Sequence, residues 1–312
     1  MKLFSIMWSS YTPLLKAGVD KVGHLELSVY STKQISQKPE LLEKVKQDLK
    51  KADLILLYKT NDPFWETIEE EIKHLRGRLP VIVVGSDPSY WSLSTVSPEV
   101  VATVYQYILY NGQENFCEML KYLLATLFGH EIAYRPPKAT PWEGIFHPEI
   151  GSFDSVEDFL KSYPYRNRPL VGLLYSRSNW ITGNMEVERA LIVALEGRGL
   201  GVIPVFFYSL KDKALGNLSG EEVVRKFLVK GKRPLVEVLV KLTSFFLGSK
   251  RGETGESQAE AGAGLLLELG IPLISPLISY YKDKEEWLDD PQGLGGQVAW
   301  SVAMPEFEGA IE

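Results

Sequence analysis

Short apolar runs rich in β-branched and aromatic residues recur along the first part of the chain, at Leu3–Trp8, Leu25–Tyr30, Leu54–Tyr58 and Val81–Val84. Each is bounded by turn residues, the pattern of a strand buried on both faces. Between them the apolar period lengthens to that of a helix. After Pro39-Glu40, residues Leu41, Leu42, Val45 and Leu49 share one helical face, with acids early and lysines late as the helix dipole prefers. A second helix opens at Asp62-Pro63 and runs through Ile68, Ile72 and Leu75 to Gly77, with proline at its start and glycine at its end. Parallel strands need helical crossovers, so this alternation predicts a doubly wound, mostly parallel sheet.

From Pro98 to Phe128 strand signals vanish and a long helical region is expected, broken near Asn111-Gly112, as a covering layer. Tyr134 to Pro141 contains paired prolines and reads as an extended linker. The alternation then resumes. Leu170–Tyr175, Val202–Tyr208, Leu235–Leu239 with its continuation, and Leu273–Ser275 are expected strands, and Gly183–Gly197, Glu221–Leu228 and Gly264–Leu269 expected helices. The chain is therefore expected to be α/β, with two consecutive doubly wound, flavodoxin- or Rossmann-like domains over residues 1–135 and 136–312. The polar, glycine-rich stretch Gly248 to Ala259 lies between a strand and a helix and reads as a mobile loop on the ligand-binding edge.

Composition narrows the function. The 312 residues are 45% apolar and 24% charged, as in packed globular proteins, and carry 34 Lys+Arg against 40 Asp+Glu. The resulting net charge of −6 gives no basic field for nucleic acid. One cysteine, Cys117, excludes a disulfide framework or a thiolate metal cluster and suits a reducing cytoplasm. The longest apolar stretch, Ala261 to Ile278, is interrupted by Glu268, Gly270, Pro272 and Pro276, so no membrane span is expected. Leu3 to Trp8 is too short for a signal peptide.

Familiar catalytic motifs are missing. Gly197-Arg-Gly199-Leu-Gly201 follows a helix and precedes a strand, the reverse of a dinucleotide fingerprint, and no Walker A or GxSxG sequence is present. His130-Glu131 has Tyr134 where HExxH needs its second histidine. The stretch Tyr175-Ser-Arg-Ser-Asn-Trp180 is more suggestive. It follows a buried strand, where α/β sheets bind ligands, and offers Arg177 with Ser178 and Asn179, a set suited to an anion. The structural alternative pairs Arg177 with a carboxylate and uses Ser178 or Asn179 as a helix cap. His147 suits a metal ligand, an acid/base or a structural role. Thr243-Ser244 either lines the same crevice or accompanies Phe245 and Phe246 into the core. Seven tryptophans offer rings for stacking or for core packing, and Cys117 reads as a small core residue.

An ordered set of segments resembles the large subunit of the ATP-dependent metallochelatases, the family of the cobaltochelatase and magnesium chelatase large subunits. It comprises Gly144-Ile-Phe-His-Pro148, Val171-Gly-Leu-Leu-Tyr-Ser-Arg-Ser178, Ala194-Leu-Glu-Gly-Arg-Gly199, Val202-Ile-Pro-Val-Phe-Phe-Tyr-Ser-Leu-Lys211 and Thr243-Ser-Phe245. Glu286-Trp287, Pro291-Gln-Gly-Leu294 and Met304-Pro-Glu-Phe-Glu-Gly-Ala-Ile311 complete it. Tyr208 to Lys211 and Pro291 to Leu294 are more similar to the cobalt members, whereas Gly309-Ala-Ile-Glu312 suits the magnesium members equally. Asn179 stands where many relatives carry histidine, and relatives are several times longer.

The resemblance implies an N-terminal portion of a tetrapyrrole-binding large subunit of a cytoplasmic cobaltochelatase of cobalamin biosynthesis, a nitrogen–metal ligase. It implies no catalysis by this portion alone. A magnesium chelatase fragment and a standalone tetrapyrrole-binding protein are the alternatives. ATP is implied on AAA+ motor subunits, cobalt for the complete complex, and a corrinoid or other tetrapyrrole as substrate. The remainder of the large subunit is an implied partner. Substrate-binding candidates are His147, Tyr175, Arg177, Ser178, Asn179, Thr243, Ser244 and Gln292. No metal ligand and no catalytic residue is assigned.

Overall fold

The computed structural model describes residues 1–85, 87–279 and 282–311. Glu312, which closes one of the motifs above, lies outside them. The chain divides into two compact units, Met1–Thr140 and Pro141–Glu312.

In the first unit the order is β1 (Lys2–Met7), α1 (Thr12–Val22), β2 (Glu26–Ser31), α2 (Thr32–Gln37), α3 (Leu41–Leu49), β3 (Leu54–Lys59), α4 (Trp65–Leu75), β4 (Val81–Gly85), α5 (Pro98–Tyr110) and α6 (Gly112–Phe128). Among the described residues the strands form one parallel sheet in the order β2-β1-β3-β4. Strand side chains alternate between two cores. Leu3 and Met7, Leu54 and Leu56, and Ile82 and Val84 meet α1, α5 and α6 on one face. Phe4 and Ile6, Ile55 and Leu57, and Val81 and Val83 meet α2, α3 and α4 on the other. The sheet is doubly wound because every central strand is apolar at both parities. The edge strand β2 is only half-buried, unlike the fully covered strand its composition suggested.

The expected break in the long helical region is real. Asn111, at φ 65°, ends α5, and its side chain accepts from the Gly112 N–H at 2.7 Å. The proline-rich linker is not loose. Asn115 Nδ2 donates to Lys138 O at 2.9 Å, Lys138 N donates to Asn115 Oδ1 at 2.9 Å, and Arg135 N donates to Glu118 Oε2 at 2.7 Å. These bonds bind the strap 134–140 to α6. Burial works against the Glu118 charge, but Lys121 and the backbone and guanidinium of Arg135 hold its carboxyl below the ordinary 4.5. A depressed carboxylate stabilises above its unfolded pKa, and that contribution is lost as pH falls through the folded value. Amide protection of the strap should therefore fall on acidification from about pH 5 to about pH 3. In Glu118→Gln that pH dependence should be absent from hydrogen-exchange protection factors.

The second unit begins with β5 (Glu143–His147), β6 (Gly151–Phe153) and α7 (Val156–Ser162). It continues through β7 (Leu170–Ser176), α8 (Arg177–Thr182), α9 (Glu186–Glu196), β8 (Gly201–Phe207), α10 (Gly220–Leu228), β9 (Val229–Lys230), β10 (Arg233–Pro234) and β11 (Val238–Lys241). Last come α11 (Gly255–Leu269), β12 (Leu273–Ile274), α12 (Lys284–Asp289) and α13 (Met304–Phe307). Among the described residues the main sheet runs β12-β11-β7-β8-β5-β6, parallel through β8, with β5 and β6 added antiparallel. Leu170, Leu174, Ile203 and Val205 face α7, α10 and α11. Val171, Leu173, Tyr175, Val202 and Phe206 face α9 and Trp180 of α8.

Several boundaries differ from the sequence expectation, each for a local reason. The crevice segment after β7 is the helix α8, closed by Gly183 at φ 77°, so the next helix starts at Glu186 rather than Gly183. The polar loop after Gly248 ends at Thr254, whose hydroxyl accepts from Ser257 N and caps α11, nine residues before the expected helix. Its remaining part is bound down by Lys211 N to Ser249 O at 3.0 Å and Arg251 N to Lys211 O at 2.9 Å. The strand expected from Leu235 is β11 and begins at Val238.

Candidate functional site at the carboxyl edge of the second sheet

In the second sheet β8 lies on one side of β7 and β11 on the other, so strand order reverses between β7 and β11. Ligands of open α/β sheets bind outside the carboxyl ends of the strands at such a switch point. Here β7 delivers Ser176 and Arg177, β11 delivers Thr243 and Ser244, β8 delivers Tyr208, and β12 delivers Ser275. Because β5 runs antiparallel, with Glu143 opposite Phe207, its beginning and Trp142 stand at the same edge.

Arg177 opens α8 but does not face solvent: it is 4% exposed. Its Nε–H donates to Pro141 O at 2.7 Å, and its guanidinium lies 4.4 Å from the centroid of the Trp142 ring. Trp142 in turn packs against Tyr208, centroids 5.7 Å apart, and Tyr208 is 37% exposed. Arginine thus holds an aromatic plate at the rim. Beside it Trp180 stacks on Phe206 at 3.9 Å and 8°. Phe206 has room because Gly144 lies against it, where a Cβ would meet its ring at 2.9 Å.

The expected cap is corrected. Ser176, not Ser178 or Asn179, caps α8 by accepting from Ser178 N at 3.1 Å. Asn179 donates instead to Glu188 Oε1 at 2.8 Å, and Glu188 is buried with Oε2 lacking a hydrogen-bond partner. Tyr175 is fully buried, its hydroxyl donating to Phe146 O at 3.3 Å, and burial pushes its phenol far above the ordinary value. It sits in the core.

Beyond β11 a small cavity of about 10 Å³ opens among Lys241, Thr243, Ser244, Ser275 and Ser301. Thr243 is 6% exposed and its Oγ1 has no hydrogen-bond partner. Ser301 accepts from Gln297 Nε2 at 2.9 Å. Lys241 is committed to the protein: Nζ donates to Phe245 O at 2.9 Å and pairs with Glu308 Oε2 at 2.5 Å. Thr243 and Ser244 therefore do line the edge, while Phe246 is buried and Phe245 is 52% exposed.

Two candidates lie elsewhere. His147 ends β5 toward the opposite edge, buried, with Nε2 3.0 Å from Glu196 Oε1. Tyr163 donates to the same oxygen at 2.6 Å and accepts from Val202 N at 2.7 Å, which makes this a structural network. Gln292 is exposed on the turn after α12, its N–H donating to Asp290 at 2.8 Å. Gln297 is the glutamine that reaches the cavity wall, through Ser301. Sequence reading also passed over Tyr208, Lys241, Ser275, Ser301 and Glu308 as site residues. Their signal was their position one to three residues past apolar runs. Among the described residues no three His, Cys, Asp or Glu converge as a metal-binding set, and no helix is long and apolar enough to cross a membrane.

The chain is similar to known proteins along its full length. The family described as CobN/Magnesium Chelatase matches residues 105–312. An uncharacterized protein of Methanocaldococcus jannaschii is 33% identical over 100% of the chain and 24% of its own length. The magnesium-chelatase subunit ChlH of Oryza sativa is 32% identical over 64% of the chain and 15% of its own. The aerobic cobaltochelatase subunit CobN of Pseudomonas aeruginosa is 27% identical over 80% of the chain and 19% of its own. In fold, the catalytic subunit of cobaltochelatase from Mycobacterium tuberculosis overlays 99% of the chain with a TM-score of 0.58, at 19% identity and over 24% of that chain. The chain spans 24% or less of the length of each of these relatives.

Proposed function

The chain belongs to the CobN/magnesium chelatase family, and from that premise we propose that it forms the first part of the tetrapyrrole-binding subunit of a cytoplasmic, ATP-dependent cobaltochelatase. On this reading it supplies one wall of the ring site, does not insert metal alone, and works with the rest of the subunit and with AAA+ partners that hydrolyse the ATP. The observation that carries it is the carboxyl edge of the second sheet. There segments that bear the resemblance bring together the Trp142–Tyr208 plate, its Arg177 brace and the hydroxyl-lined cavity after Thr243. A flat macrocycle with acidic arms needs an apolar aromatic surface and a few oriented polar groups, and that edge offers both. The resemblance of Tyr208 to Lys211 and of Pro291 to Leu294 to the cobalt members supports a corrinoid over a porphyrin.

Titration of the chain with hydrogenobyrinic acid a,c-diamide and with protoporphyrin IX, followed by absorbance and tryptophan quenching, tests the reading. Saturable micromolar binding with the corrinoid tighter is expected, weakened by Tyr208→Ala. Tighter porphyrin binding would shift the reading to magnesium. Failure of both rings to bind would remove the ring site from this chain.

A further inference from the structure

A buried hydroxyl without a partner costs the fold free energy, so a protein that retains one invites the question of what it meets. Thr243 Oγ1 is such an atom: the residue is 6% exposed, the oxygen has no hydrogen-bond partner, and it lines the cavity past the ends of β11 and β12. The other polar walls are Ser244, Ser275 and Ser301, and Lys241 also lines it, its ammonium bonded to Phe245 O and Glu308. Among the described residues no carboxylate lines the cavity. Glu308 is held behind Lys241, where it also accepts from Leu247 N. Hydroxyls can donate or accept, but beside Lys241 and with no acid among the described residues facing in, they are set to donate to an anionic oxygen. A volume of about 10 Å³ admits about one oxygen-sized atom. A whole phosphate or a ring does not fit. One oxygen of a carboxylate presented from outside does.

Resting on the ring-site reading above, we infer that this cavity is the seat for one peripheral carboxylate of the macrocycle, with Thr243 Oγ1 as the donor that is satisfied only when the acid arm is in place. Thr243 is then a substrate-positioning contact, following the strand that pairs with β7, the strand that delivers Ser176 and Arg177.

The test uses the 312-residue chain and four titrations: wild type and Thr243→Val, each with protoporphyrin IX and with its dimethyl ester, read by tryptophan quenching. Valine keeps the shape and removes the hydroxyl. A hydrogen bond to a charged group corresponds to roughly tenfold or more in affinity, so Thr243→Val should bind the free acid about tenfold more weakly and the ester unchanged. The ester should bind wild type more weakly than the acid does. Ring binding that is equal in wild type and variant would overturn the carboxylate seat and leave the ring-site reading standing. Absence of porphyrin binding here together with absence of corrinoid binding above would overturn both. Thermal unfolding adds a readout independent of any ring. Removing an unpaired hydroxyl should leave Tm unchanged or raise it, and a marked fall would show that the hydroxyl serves the fold and overturn the assignment. A matching Tm gain on adding acetate alone to wild type, with no difference between acid and ester, would mark an adventitious anion site and equally overturn it.

Discussion

Glu308→Ala is expected to lower the stability of the second unit by about 3–5 kcal/mol, the usual effect of leaving one member of a buried ion pair uncompensated. Lys241 and Glu308 have fully buried side chains, Nζ and Oε2 are 2.5 Å apart, and the pair joins the end of β11 to the segment after α13. Burial pushes the lysine down and the carboxyl up, and each partner opposes that push on the other, with the Leu247 and Gly248 N–H groups also acting on the glutamate. Gly262 of α11 makes the room, since a Cβ there would collide with the Glu308 carboxylate. Removing either partner strands a charge, but removing both does not. The double variant Lys241→Met/Glu308→Leu should recover most of the loss, because neither desolvation penalty remains. Urea unfolding combined with amide exchange on β11 measures both. If Glu308→Ala lies within about 0.5 kcal/mol of wild type, the pair does not hold the tail to the sheet.

That pair also explains which parts of this protein were legible in its sequence. Strands apolar at both parities, such as Leu54–Leu57, announce burial on two faces, and a doubly wound α/β fold follows from them with little ambiguity. Helix starts were harder where the cap is a polar residue inside a polar run. Ser176 and Thr254 begin helices in stretches that read as loop, because hydroxyl caps and loop residues are the same residue types. The antiparallel strand Glu143–His147 escaped for another reason: Gly144 breaks the β pattern in order to seat Phe206, a requirement set by a residue 62 positions later. Site residues divided similarly. Thr243 and Ser244 were visible because they follow an apolar run, which fixes them at a strand's carboxyl end. His147 lies on the strand that escaped, and its pairing with Glu196, 49 residues later, is a long-range contact that no local pattern reports. Whether Arg177 faces outward or inward depended on the Pro141 carbonyl and the Trp142 ring, 36 and 35 residues upstream, which no local pattern reports.

For that reason Arg177→Ala is expected to act through the plate rather than by removing a ligand contact. The variant should lose about 2–3 kcal/mol of stability, from the charge-assisted bond to Pro141 O and the cation–π contact with Trp142. Ring binding should weaken with it, because Trp142 no longer holds Tyr208 at the rim. Arg177→Lys separates charge from geometry. A lysine retains the charge but has neither the Nε–H nor the planar face that meet Pro141 and Trp142 together, so it should rescue only a minor part of either loss. Unfolding in urea alongside titration with protoporphyrin IX and its dimethyl ester distinguishes the roles. A positioning arginine lowers stability and weakens acid and ester alike. If Arg177→Ala keeps wild-type stability and loses only the free acid, the guanidinium itself grips the acid arm, and the brace is not its function.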